Sequence, residues 1–184
     1  AARRAVDLLK IDRAFCADSD VLICCNPFDQ PHLRGSPRLA LSSETPESMV
    51  TAGMSLQTPE SLARFCEFVL SDYFTHPAII DGGKNDMDAW NYVARGGHGF
   101  AAVPWTQLNR VVEGVVFDHH LMATHGFKVD RRHGCKLLEF RDGIPHAFTS
   151  DGTKVRMAGM HCWGAMKPKM ASLASLVLNR AGPA

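Results

Sequence analysis

Ala14-Phe15-Cys16-Ala17-Asp18-Ser19-Asp20-Val21-Leu22-Ile23-Cys24-Cys25 holds two short apolar runs with two carboxylates set between them. The runs Ala14–Ala17 and Val21–Cys25 predict short buried strands. Charges placed between such runs are costly unless something compensates them. A divalent cation is the simplest partner. Oxygen ligands suit Mg²⁺ or Mn²⁺, and such ions are often held by one or two carboxylates together with substrate phosphates. Asp18 and Asp20 share a face if the backbone between them stays extended. A tight turn, with the Asp side chains capping backbone amides, explains the same residues. The D-x-D triplet alone leaves both readings open.

Upstream, Arg4 to Arg13 reads as an amphipathic helix with Val6, Leu9 and Ile11 apolar. Downstream, Asn26 to Ser43 carries Pro27, Pro31, Gly35 and Pro37 and reads as a loop. A strand is expected over Met49 to Leu56. Thr58-Pro59-Glu60-Ser61 then opens a helix: Thr58 suits the cap and Pro59 the first helical position, and Leu62, Phe65, Val69 and Leu70 form the apolar face. Asp81-Gly82-Gly83 breaks the chain, Asp86 to Val93 is expected to be helical, and Gly99–Val103 and Gly114–Phe117 are expected to be strands. Lys136–Phe140, Pro145–Thr149 and Lys154–Met157 read as a meander. Its turns are Arg141-Asp142-Gly143 and Ser150-Asp151-Gly152, because Asp-Gly between apolar-alternating runs is a strong hairpin signal. Ala165–Asn179 closes as a helix with Met166, Met170, Leu173, Leu176 and Val177 apolar. Helices interleave with strands, so the expected class is α/β, in one domain over residues 1–184.

Composition narrows the function classes. The chain has 184 residues, 46% hydrophobic and 21% charged, which excludes disorder, collagen and low complexity. Its formal net charge of +1 gives no bulk basic field for nucleic acid. No apolar run approaches the roughly 18 residues that span a bilayer. The opening AARRAVDLLKIDR lacks the apolar core of a signal peptide, and its start without Met reads as that of a fragment. None of the six cysteines forms a C-x-x-C pair, so a structural zinc site has no support. Cys16, Cys24, Cys25 and Cys66 sit among apolar neighbours and read as buried reduced thiols, which points to a cytoplasmic setting. Nine histidines with many aspartates keep a mixed nitrogen and oxygen metal site open.

A second constellation follows the last expected strand: His161-Cys162-Trp163-Gly164-Ala165-Met166-Lys167-Pro168. A helix start offers free backbone N–H groups. Gly164 lets a phosphate approach the backbone, Lys167 supplies a charge for a diphosphate, and His161 offers a ring nitrogen to a metal. A packed histidine and a solvated lysine at a plain strand-to-helix junction would look the same.

HxxGxxKP downstream of a D-x-D resembles the nucleotide-sugar glycosyltransferases of the glycogenin and bacterial galactosyltransferase-like type, which have the GT-A fold. Asp86-Met87-Asp88-Ala89-Trp90-Asn91 is similar to that family's D-Q-D-[IV]-[LF]-N stretch, and Thr51-Ala52-Gly53-Met54 weakly echoes its N-[AS]-G. The motifs stand in the family's order from Asp18 to Pro168. The resemblance implies that Asp18, Asp20 and His161 bind Mn²⁺ or Mg²⁺ and that Gly164 and Lys167 contact the donor's phosphates. It also implies that Asp86 hydrogen-bonds the transferred sugar while Asp88 orients it. The partners implied are a nucleotide-sugar donor and a saccharide, lipid or protein acceptor, with retention of configuration. Met87 replaces the family's Gln, Thr51 its Asn, and Cys162-Trp163 its usual aromatic-plus-small pair. Only about a helix precedes Asp18, so the family's N-terminal nucleotide-binding strands are expected to be missing.

Val115-Val116-Phe117-Asp118-His119-His120 is the rival signal. A strand ending in Asp-His-His resembles the Mn²⁺-dependent DHH phosphoesterases, whose chemistry would join Asp118 and His119 to Asp18 or Asp20. A non-catalytic domain that binds a sugar nucleotide or a partner is the third reading. Of the tryptophans, Trp105, in an expected loop with Gln107 and Asn109 nearby, reads as the best acceptor-side candidate.

Overall fold

The computed structural model describes residues 8–35, 38–43, 50–71, 73, 86–97 and 105–178. It is mixed α/β, with several sheets and few helices. The chain forms two compact units, each assembled from separate segments: Ala1–Ala17 with Gly35–Leu108, and Asp18–Arg34 with Asn109–Ala184.

The first unit holds a four-stranded sheet of β1 (Ala14–Ala17), β3 (Leu39–Ser43), β4 (Val50–Gln57) and β5 (Trp105–Gln107), in the order β1-β4-β3-β5. β4 pairs antiparallel with β1 and β3, and β5 runs parallel to β3. β3 corrects the loop expected over Asn26–Ser43. The prolines and Gly35 punctuate only residues 27–37, where Pro27 and Pro31 each open a 3-10 turn. Leu39, Ala40 and Leu41 are wholly buried and belong to the sheet.

Helix α1 (Pro59–Ser71) starts where the sequence places it. The Thr58 hydroxyl accepts from the Ser61 N–H at 3.2 Å and the Ser61 hydroxyl accepts from the Thr58 N–H at 2.8 Å, a reciprocal cap with Ser in the usual Glu position. Phe68 is fully buried, whereas Leu70, expected on the apolar face, is 86% exposed. From Leu62 to Leu70 is eight steps of about 100°, which overshoots two turns by about 80°. Helix α2 (Asp86–Ala94) buries Ala89, Trp90 and Val93. Phe65 of α1 stacks on Trp90 with ring centroids 3.9 Å apart, within a core that includes Leu39, Leu41, Val50 and Phe68. Trp105 packs half-buried against this core, so it is an anchor in β5 rather than a loop residue.

The second unit is built on β11 (Lys154–His161). One edge of β11 takes β10 (Ile144–Phe148) and then β2 (Val21–Ile23), both antiparallel; the opposite edge takes β6 (Val115–Asp118) in parallel. β9 (Leu138–Arg141) continues the sheet beyond β10. Its hairpin turn has Asp142 at φ 49° and Gly143 at φ 69°, the two positive values a type I′ turn requires. The strand expected over Lys136–Phe140 is split. Cys135–Lys136 forms β8 and pairs with β7 (Val129–Asp130), and β9 begins at Leu138. Leu121, Cys135, Ala147, Met157, Met160, Cys162 and Met166 form the core. Met170, Leu173 and Val177 of α3 (Met170–Leu178) pack against it.

The terminal helix does not begin at Ala165. Residues Gly164–Lys169 form a 3-10 turn, with Pro168 inside it, and α-geometry starts at Met170. Pro168 has no N–H for an α-helical bond. The expected N-terminal helix lies outside the described residues up to residue 7. Leu8 and Leu9 are helical, and Lys10 at φ 53° ends that turn before Ile11. The strand expected over Gly99–Val103 also lies outside the described residues, in all but its neighbouring segments. None of the six cysteines is in a disulfide. Burial pushes the Cys24 thiol up to about 12 and the Cys162 thiol up to about 11, so both stay protonated at neutral pH.

Candidate metal centre

The register of β2 on β11 places the acid pair. Val21 pairs with His161, and one residue further the Cys162 N–H donates to the Asp20 carbonyl at 2.8 Å. The carboxylates before β2 therefore arrive at the end of β11 that carries His161. The backbone between them is a turn, with the Val21 N–H donating to the Asp18 carbonyl at 3.1 Å. It is this turn, and not an extended backbone, that sets Asp18 beside Asp20.

One ligand atom from each of Asp18, Asp20 and His161 lies within 4.8 Å of the other two. Asp18 is exposed, Asp20 partly buried and His161 buried, so the cluster opens toward solvent on the Asp18 side. His161 Nε2 is 3.2 Å from one Asp20 oxygen and Lys167 Nζ is 2.9 Å from the other. Burial works against the Asp20 carboxylate. The Lys167 hydrogen bond and the charges of His161 and Lys167 outweigh it and hold the group below the usual carboxylate range. Two carboxylates and an imidazole fit Mn²⁺ or Mg²⁺ as a donor set, since carboxylate oxygens suit both ions and a ring nitrogen is tolerated better by the softer one. Lys167 is a cation already seated on one of those carboxylates, and any metal must contend with it.

Gly164 lies between His161 and Lys167 with φ 59°, and a Cβ built there would meet nothing within 4 Å. Its backbone is open to an incoming group. Asp86 and Asp88 are carried by the first unit, where Asp86 opens α2 and Asp88 is half-buried. The side chain of Asp86 lies outside the described residues.

The Asp-His-His stretch ends β6, beside the same end of β11. Asp118 is buried and bound to Lys136 Nζ at 2.6 Å; that ammonium also donates to the His120 carbonyl at 2.8 Å and sits 4.9 Å from the Phe127 ring centre. The second Asp118 oxygen is buried without a hydrogen-bond partner. His119 Nδ1 accepts from Asn109 Nδ2 at 3.1 Å. Among the described residues, the group able to hold a metal is Asp18, Asp20 and His161, with neither Asp118 nor His119 in it. Lys136, a buried lysine in a strand, carries no local signal, because its acid partner Asp118 comes from a different strand. Trp163 is legible as a member of the His161–Pro168 stretch, but its exposure is not. It is 50% exposed, with its ring edge-on to His120 at 4.9 Å. Compared with protein-family models, curated proteins and solved structures, the chain matches none of them.

Proposed function

We propose that this chain is a metal-dependent, GT-A-like glycosyltransferase that moves a sugar from a nucleotide-diphosphate donor to a hydroxyl acceptor. One observation carries the proposal: two carboxylates from the start of β2 and an imidazole from the end of β11 meet within 4.8 Å, with Lys167 on the same carboxylate. Asp18, Asp20 and His161 would hold Mn²⁺ or Mg²⁺, which as a Lewis acid offsets the charge that develops on a departing diphosphate. Lys167 adds a second positive charge for the phosphates, and the open backbone at Gly164 lets them come close. The bond from the anomeric carbon to the diphosphate breaks with oxocarbenium character as the acceptor hydroxyl adds to that carbon, and the hydroxyl proton passes to the departing diphosphate oxygen. Asp86 and Asp88 are assigned to the sugar on the motif resemblance alone. The phosphoesterase reading is less favoured because neither Asp118 nor His119 joins the Asp18, Asp20 and His161 group, and one Asp118 oxygen is held by the buried Lys136.

Thermal shift tests it. Mn²⁺ with pyrophosphate, UDP, GDP or the matching nucleotide sugars should raise Tm, and a ligand at a hundred times its Kd should add about 2.7 kcal/mol. The double variant D18N/D20N should lose that rise while folding normally. A panel with no metal-dependent shift defeats the proposal. Binding without transfer to any hydroxyl acceptor would instead support a non-catalytic sugar-nucleotide module.

A further inference from the structure

We propose that Trp163, braced by His120, is a platform on which a saccharide ring lies beside the cation cluster. The end of β11 separates two groups of side chains. On the β2 edge stand Asp18 and Asp20, and on the β6 edge stands His120, whose neighbour Leu121 donates its N–H to the His161 carbonyl. Two strand spacings put these edges about 10 Å apart. Trp163 follows His161 by two residues and leans toward the β6 side, its ring meeting His120 at an interplanar angle of 85°. The Met122 N–H donates to His120 Nδ1 at 3.0 Å, which fixes the ring and puts the proton of the neutral form on Nε2. The indole is thus held in place while half of its surface stays in solvent. Trp90 is buried and Trp105 packs against a core, so each has apolar neighbours that account for it. A fixed, half-exposed indole two residues from a candidate metal ligand is a poor structural anchor and a good surface for the C–H face of a pyranose.

The position favours a sugar over a nucleobase. In a nucleotide sugar, the sugar hangs directly from the phosphate farther from the nucleoside, whereas the base lies beyond another phosphate and a ribose. Trp163 sits between His161 and the pair Gly164 and Lys167 in the chain, which is where the proposed function puts the phosphates. The ring on the platform is either the donor's sugar or the acceptor's, and only the donor case rests on the proposed function.

Calorimetry on wild type, W163A and W163F separates these sources. With Mn²⁺, the ligands are pyrophosphate, UDP, GDP, UDP-glucose, UDP-galactose, UDP-N-acetylglucosamine and GDP-mannose; without metal, they are methyl pyranosides, lactose, cellobiose and maltotriose. W163A should weaken a sugar-bearing ligand by about 3- to 12-fold, leave pyrophosphate and the parent nucleotides within about twofold, and be largely rescued by W163F. Loss confined to nucleotide sugars assigns the donor ring, and loss confined to the free glycans assigns the acceptor ring. Equal loss for UDP and UDP-sugars makes Trp163 a base platform and overturns the inference. So does a W163A chain that matches wild type on every sugar, or a wild type that binds none of them. Failure of pyrophosphate and nucleotides to bind with Mn²⁺ defeats the proposed function instead, and the metal-free glycan arm still decides the acceptor case.

Discussion

Lys167 holds one oxygen of a carboxylate that an ion would need. Its ammonium rests on the Asp20 carboxylate at 2.9 Å, yet its side chain is 56% exposed. A metal that takes Asp20 must share or displace this lysine, and a displaced ammonium becomes available to a phosphate. K167M should therefore bind Mn²⁺ alone more tightly than wild type, by a few-fold, and bind Mn²⁺ with pyrophosphate more weakly, both measured by calorimetry. The same substitution has an acid signature. A carboxylate held below its unfolded value, about 3.9, contributes stability above that pH and loses it as pH falls through the lowered folded value. Without Lys167 this contribution shrinks, so the K167M acid-unfolding midpoint should move to higher pH, modestly because the pair is half in water. An unchanged Mn²⁺ affinity and an unchanged acid limb would show that the contact has no weight.

Within the elements, local signals decided what could be read. The α1 start and the β9–β10 hairpin were legible because a cap or an Asp-Gly turn acts within four residues, and both formed as expected. β3 was hidden behind prolines that serve two 3-10 turns upstream of it. The acid pair and His161 were legible as residue types, but their meeting depends on the β2–β11 register, which no local pattern encodes. The parallel pairing of β6 with β11 was likewise invisible, and so was its consequence, the buried ion pair of Asp118 and Lys136. That pair sets an element-scale expectation. Removing one partner strands a buried charge, so K136M should cost about 3–5 kcal/mol in urea unfolding, while D118L/K136M should recover most of it. A K136M chain as stable as wild type would mean that water reaches Asp118. A recovered double variant that still binds Mn²⁺ would place this pair outside the cation chemistry.

Across the whole molecule, the division into two units separates the tasks assigned to the motifs. All three candidate ligands, with Gly164 and Lys167, belong to the unit built on β11, and Asp86 and Asp88 belong to the unit built on β4. Binding energy is delivered first to the structure that supplies the ligands, and local openings that break the cluster are suppressed by RT ln(1 + [L]/Kd). Hydrogen exchange with saturating Mn²⁺ and pyrophosphate should slow the amides of β2 and of Gly159–Cys162, including the Cys162 N–H that donates to Asp20. The Ser61 and Leu62 amides of α1 should respond less, because their partners are Thr58 groups within the same cap. D86N should show the same protection as wild type and lose sugar transfer, since its place in the proposed chemistry is at the sugar and not at the ion. Protection that appears in α1 but not in β2 would put the cation elsewhere, and a D86N chain that no longer binds Mn²⁺ would make Asp86 a ligand and undo the assignment of Asp18, Asp20 and His161 as the complete set.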